Sequence, residues 1–208
     1  SDADEIVHIE EYADRILQFK KRAMYVINVS REFEFLENRY PNKGCSHPYA
    51  VTKTDKGVAW VNEHGCYLYN GERVDDLLDK KGFRKISQTT WSSFIDTDSI
   101  IGYVPSKKQL IITNSGVSSN DHDVYIYDMI TSSWTFGKNK IPTTDLPKSN
   151  FVVDWDGNLQ ILYDHDDNDN SRLYKWSDSS ADASTYEVMT KDIDFGDPSR
   201  RKKIYKVI

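Results

Sequence analysis

The residues of this sequence that are best suited to chemistry lie in one acidic loop, residues 164–170, which reads Asp-His-Asp-Asp-Asn-Asp-Asn. Oxygen-bearing side chains at alternating positions make it a candidate calcium site, with the ligands Asp164, Asp166, Asn168 and Asn170. Calcium requires several converging oxygen ligands, but this loop lacks the central glycine and the closing glutamate of an EF-hand loop. A polar hairpin loop explains the same composition. We therefore predict a solvent-exposed hairpin loop without a tightly bound metal.

The other residues that could support catalysis are dispersed along the chain. Five histidines occur, at positions His8, His47, His64, His122 and His165. None stands beside a serine or cysteine nucleophile in a recognised arrangement, and no glycine-rich phosphate loop is present. The sequence therefore predicts a protein without catalytic residues or a cofactor, and so not an enzyme. Two carboxylates that meet in space can cleave glycans, which keeps a glycan-active hydrolase as the alternative.

The charge balance bears on the kind of partner. The net charge of −6 disfavours nucleic acid as the main ligand, because phosphate binding needs a basic face. The basic run at residues 200–203 is interpreted as a solvated strand edge. No apolar stretch approaches the length of a membrane-spanning helix, so no membrane span is predicted.

The two cysteines, Cys45 and Cys66, are too few for a disulfide framework. Neither belongs to a CxxC motif or a cluster of metal ligands. We expect two free thiols.

A repeat of short strands and tight turns predicts the fold. In three stretches an apolar run and a turn lead to a second run that ends in an aromatic residue, at Tyr69, Tyr127 and Trp176. These positions are 58 and 49 residues apart, and a period near 50 in turn-separated strands is typical of propeller blades. We predict an all-β propeller of about four four-stranded units, complete or part of a larger ring. Residues 1–208 would form this single domain, with the start of a further blade or domain at 198–208.

The element pattern divides the chain into those units. Strands are predicted at 6–9, 15–19 and 24–29, although residues 12–19 also fit a helix, and further units at 49–78, 99–136 and 151–195. Two stretches favour helix, residues 90–94 and a brief helical turn at 75–82. The predicted core includes Trp60, Tyr69, Ile111, Tyr127, Leu162 and Trp176.

Three passages together resemble a known family. Residues 12–20 leading into 25–29, residues 57–71 and residues 190–204 look like structural proteins of bacteriophage tails that carry a β-propeller, of the nozzle or tail-tubular type. The resemblance implies a non-enzymatic virion component that is made in the host cytoplasm. It also implies other phage tail proteins, or a homo-oligomeric ring of this chain, as partners. The passage from residue 124 to Trp134 looks kelch-like, so a cellular kelch-like interaction module is a further alternative, although the kelch glycine doublet is missing.

Overall fold

A computed structural model of the protein describes residues 4–80, 82–114, 123–138, 140–141, 148–164 and 171–176. This part of the chain is mostly β-structure, which confirms the all-β prediction. None of its sheets closes on itself. The possible further blade or domain at 198–208 and the basic run at 200–203 lie outside the described residues.

The strands form four antiparallel sheets in chain order, and neighbours in sequence are neighbours in each sheet. Sheet 1 consists of β1 (Ile6–Tyr12), β2 (Arg15–Lys20), β3 (Ala23–Asn28) and β4 (Phe35–Pro41). Sheet 2 consists of β5 (Val51–Thr54), β6 (Gly57–Asn62), β7 (Gly65–Tyr69) and β8 (Val74–Asp76). A two-stranded hairpin follows, made of β9 (Asp79–Lys80) and β10 (Phe83–Arg84).

Sheet 3 consists of β11 (Ile100–Val104), β12 (Gln109–Thr113), β13 (Val124–Asp128) and β14 (Ser133–Gly137). Sheet 4 has three described strands, β15 (Lys148–Val153), β16 (Leu159–Asp164) and β17 (Ser171–Lys175). The helix α1 (Gln88–Phe94) precedes sheet 3, and a 3₁₀ turn (Pro48–Ala50) precedes sheet 2. Each predicted unit thus begins as an antiparallel meander.

The same side-chain device ends the third strand of three sheets. The side chains of Asn28, Asn70 and Asp128 each accept a hydrogen bond from a backbone N–H two residues further on, at 2.9, 3.0 and 2.8 Å. Short side chains with an oxygen on Cγ favour this turn because they replace the backbone as acceptor. The aromatic repeat immediately precedes it, since Tyr69 comes before Asn70 and Tyr127 before Asp128. The sequence repeat is therefore a structural repeat.

Two helix predictions had opposite outcomes. Residues 90–94 do lie in α1, where the Ser87 side chain accepts a hydrogen bond from the Thr90 N–H. The helical turn predicted at 75–82 is wrong, because Asp75 and Asp76 pair with β7 and the chain continues into β9. The alternative helix at 12–19 is also wrong, since a tight turn at residues 13–14 separates β1 from β2.

Five of the six predicted core residues are buried. Trp60, Tyr69, Ile111, Tyr127 and Trp176 are each at most 7% exposed. Leu162 is 42% exposed, so its placement in the core is wrong. The physical reason is the two-residue period of a strand: Ile161 points to the buried face of sheet 4, so its neighbour Leu162 points away.

The sheets pack face to face in chain order. Between sheets 1 and 2, the Phe19 ring meets the edge of Trp60 with centroids 5.2 Å apart. Between sheets 2 and 3, the indole N–H of Trp134 donates to the carbonyl of Leu77 at 2.9 Å. Between sheets 3 and 4, Ile111 and Leu159 share one apolar cluster.

Candidate functional site

The acidic loop lies where the sequence places it. β16 and β17 remain paired as far as Asp164 and Ser171, so residues 165–170 connect two paired strands. The hairpin position is therefore confirmed. The remaining candidate ligands, Asp166, Asn168 and Asn170, are outside the described residues, and the expectation of no tightly bound metal stays a prediction. Within the described ranges, no group of three or more His, Cys, Asp or Glu side chains could hold a metal ion.

The described histidines serve separate local structures. His47 accepts a hydrogen bond from the Tyr49 N–H at 3.2 Å and so caps the 3₁₀ turn, while burial lowers the pKa of its imidazole. His8 lies against Phe19, and His64 lies beside Glu63. His122 and His165 are outside the described residues. These contacts account for the three described histidines as structural or surface groups.

Both cysteines are free and buried, as expected from the sequence. Burial raises the pKa of the Cys45 thiol to about 12 and also raises the pKa of Cys66. A thiol must be deprotonated to act as a nucleophile or a metal ligand. Neither cysteine is therefore a reactive group at neutral pH.

A cavity of about 680 Å³ opens between the outer edge of sheet 2 and sheet 3. Leu68, Leu77 and Tyr127 form part of its wall. Two cations on its wall are already engaged, because the Nζ atoms of Lys56 and Lys85 each donate to a backbone carbonyl of the sheet 3 turn. The cavity therefore joins two sheets through hydrogen bonds in addition to apolar contact.

The turns of sheets 1, 2 and 3 meet at one end of the molecule, which we call the turn end. It carries the turns between the first and second strands and between the third and fourth strands of these sheets. The Nζ of Lys53 lies 3.3 Å from the Glu11 carboxylate, which joins sheets 1 and 2 there. The Nζ of Lys108 lies 2.7 Å from the Asp55 carboxylate, which joins sheets 2 and 3. These contacts fix the relative orientation of the three sheets.

Large apolar side chains are exposed on several turns. Phe33 and Ile130, on the third-to-fourth-strand turns of sheets 1 and 3, are 76% and 70% exposed at the turn end. Trp155, on the first-to-second-strand turn of sheet 4, is fully exposed. Exposed single apolar residues are common, but a fully exposed tryptophan is unusual because its ring is large. Sequence reasoning missed these three residues; the available signal was an aromatic or aliphatic residue at the tip of a polar turn.

The turn that carries Trp155 is held by one carboxylate. Asp154 accepts hydrogen bonds from the backbone N–H groups of Asp156 and Asn158 at 3.0 and 2.8 Å, and the side chain of Gln160 also donates to it. The bonds from Asn158, followed by those from the other donors, hold the pKa of Asp154 below its usual range. The turn is therefore a preorganised platform for the exposed indole.

Comparisons with known proteins identify no relative. No protein-family model matches this chain, and no curated protein matches it. The described part of the chain contains no helix that is long and apolar enough to cross a membrane.

Proposed function

We propose that this protein is a non-enzymatic structural component of a bacteriophage tail, and that its four sheets are blades of a β-propeller. The tail assignment rests on the resemblance of residues 12–29, 57–71 and 190–204 to tail proteins of the nozzle or tail-tubular type. The virion is the corresponding location, and other tail proteins are the corresponding partners.

The order of the sheets supports the propeller. In a propeller, four-stranded sheets follow one another around an axis, with their first strands innermost. Here β11, the first strand of sheet 3, contacts both β5 and β15, the first strands of the sheets before and after it. The shared turn end of sheets 1, 2 and 3 gives these blades one orientation.

The single observation that supports docking is the set of apolar side chains on rigid turns. Phe33, Ile130 and Trp155 expose apolar area that is not used within the described part of the protein. Binding hot spots are enriched in tryptophan, and a preorganised turn reduces the entropy lost on binding. A docking role follows from these residues more directly than a catalytic one.

The proposal is tested in a phage that encodes this chain. The gene is deleted and supplied in trans as wild type, as a triple Phe33→Ser, Ile130→Ser, Trp155→Ser variant, or as Glu72→Ser. Glu72 is the matched control because it lies on the polar third-to-fourth-strand turn of sheet 2 and is exposed. We expect mass spectrometry of purified particles to detect the wild type and the control, and to find the triple variant strongly depleted.

Two results would reject the proposal. One is the absence of the wild-type chain from purified particles. The other is release of sugars from host surface polysaccharide by the purified protein, abolished by a single Asp→Asn change, which would favour the glycan hydrolase. Association with a cellular protein in place of particles would favour the kelch-like module.

A further inference from the structure

The two faces of each sheet are not equivalent. We call the face toward the preceding sheet the near face and the face toward the following sheet the far face. Tyr69 and Tyr127 lie on the near faces of sheets 2 and 3, and Trp176 extends the near face of sheet 4; all three are buried. Each near face thus packs on the far face of the sheet before it.

Sheet 1 has a near face of the same construction that nothing described covers. Ile27 immediately precedes the turn residue Asn28, so it occupies the position that Tyr69 and Tyr127 hold in their sheets. In the same cross-strand row, Ile27 pairs with Ile16 and with Leu36. Leu36 is 58% exposed, and Ile9 on the same face is also 58% exposed. The apolar row that is buried in later sheets is therefore open here.

Sheet 4 has the complementary uncovered face. Ile161 and Phe151 pair on its near face and pack toward sheet 3. Leu162 and Leu173 pair on its far face, where Leu173 is 65% exposed. Val152 is also exposed on this far face. The described stack thus ends in one open near face and one open far face.

These two faces are the two halves of the interface that the chain already repeats between its sheets. An interface between different surfaces of identical subunits is heterologous, and it closes a ring when the rotation permits. Propellers contain about four to eight blades, so two copies of four sheets give a ring at the upper limit of this range.

We infer that a second copy of this chain covers both faces, with the far face of sheet 4 of each copy packed on the near face of sheet 1 of the other. This inference rests on the proposal that the sheets are blades. It adds the partner and the surfaces involved: Ile9, Ile16, Ile27 and Leu36 on one side, and Val152, Leu162 and Leu173 on the other. A closed ring of two copies leaves neither apolar face in contact with water.

The test measures the mass of the purified 208-residue chain by sedimentation and light scattering. We expect about 48 kDa, twice the chain mass of 24.1 kDa. Variant A, Ile9→Glu with Leu36→Glu, alters the face of sheet 1; variant B, Leu162→Glu with Leu173→Glu, alters the face of sheet 4. Each variant alone should be monomeric, with circular dichroism unchanged because the altered side chains are exposed within one copy.

Mixing the variants distinguishes this arrangement from a symmetric one. An equimolar mixture of A and B restores one intact interface, from sheet 4 of A to sheet 1 of B, and should regain a dimer. Ile130→Glu is the control, because its exposed side chain lies at the turn end, and this variant should remain dimeric. Incorporation into particles is measured separately, so failure of the dimer and failure of the tail assignment are distinguishable.

Two results would overturn the inference. A wild-type chain that stays monomeric at its highest soluble concentration would leave the faces to another occupant, such as a further segment of a longer chain or a different protein. A dimer that is lost in only one of the two variants would indicate that a single face pairs with itself.

Discussion

The hydroxyl of Tyr103 in sheet 3 donates a hydrogen bond to the carboxylate of Asp55 on a turn of sheet 2. The other oxygen of the same carboxylate lies 2.7 Å from the Lys108 Nζ. The bonds from Lys108 and Tyr103 lower the pKa of Asp55, and burial together with the bond to Asp55 raises the pKa of Tyr103. One carboxylate thus joins two sheets in a pH-dependent way.

The first prediction concerns this carboxylate at low pH. Because the folded-state pKa of Asp55 is lowered, its contribution is complete above the ordinary carboxyl pKa of about 4 and is lost as the pH falls through the lowered value. Asp55→Asn should therefore reduce the free energy of unfolding at pH 7 and leave it nearly unchanged at pH 2. The carboxylate is partly exposed, so the loss at pH 7 should be below about 1 kcal/mol. Urea unfolding across this range measures it.

The matched control for that prediction is Asp14→Asn, on the equivalent turn of sheet 1. It should leave the acid limb of the stability curve as in the wild type. An equal stability difference between wild type and Asp55→Asn at pH 2 and pH 7 would contradict the assignment.

The second prediction concerns close packing between sheets 3 and 4. A Cβ atom at Gly102 would lie 2.7 Å from Cγ of Phe151 and 2.9 Å from Cδ1 of Leu159. Gly102→Ala should therefore destabilise the protein by about 1–3 kcal/mol, the usual cost of overpacking a filled core. Denaturant unfolding measures the loss. Adding Phe151→Leu should recover part of it, and additive losses from the two changes would mean that these residues do not share this contact.

Parts of this architecture follow from the sequence because they depend on local chemistry. Asn70 and Asp128 specify turns through their own side chains, and the apolar runs before Tyr69 and Tyr127 have strand length. Trp60 and Ile111 are in apolar runs that are buried on both faces, so a wrong strand parity would not have mattered.

The errors arise where tertiary contacts decide. Leu162 belongs to a sheet with one uncovered face, so its one-residue offset from Ile161 determines its exposure, and no local signal gives that offset. Asp75 and Asp76 favour turns by propensity, yet cross-strand pairing with β7 draws them into a strand. The meeting of Asp55 with Tyr103, 48 residues apart, requires the packing of two sheets and cannot be obtained from spacing.

The third prediction concerns the indole of Trp60. This side chain is fully buried, packs on Phe19, and donates to the Lys43 carbonyl at 2.9 Å. Trp60→Ala should lower the free energy of unfolding by about 3–5 kcal/mol because it leaves a large cavity and an unpaired carbonyl. Trp155→Ala is the control, since its ring is fully exposed, and it should have little effect. Similar melting temperatures for the two variants would refute this account of the core.

The fourth prediction concerns the reactivity of the thiols. Cys45 and Cys66 are buried, and burial raises the pKa of both. A thiol reagent such as dithionitrobenzoate should therefore label neither cysteine in the native protein at pH 8 on the time scale of seconds, and should label both in denaturant. The rate of slow native labelling should follow the rate of opening and not the thiolate fraction. Rapid native labelling of either residue would contradict its burial.

The last prediction concerns calcium and the hairpin that joins β16 to β17. Asp164 pairs with Ser171 at the base of this hairpin, so residues 165–170 must turn the chain without a glycine among them. A chain without that glycine is poorly suited to wrap one ion, although its carboxylates repel one another and would gain from a cation. Millimolar calcium or a chelator should therefore leave the melting temperature nearly unchanged. A stabilisation of about 4 kcal/mol would require calcium at roughly 1,000 times its dissociation constant, and would establish a structural ion site that includes Asp164, Asp166, Asn168 and Asn170.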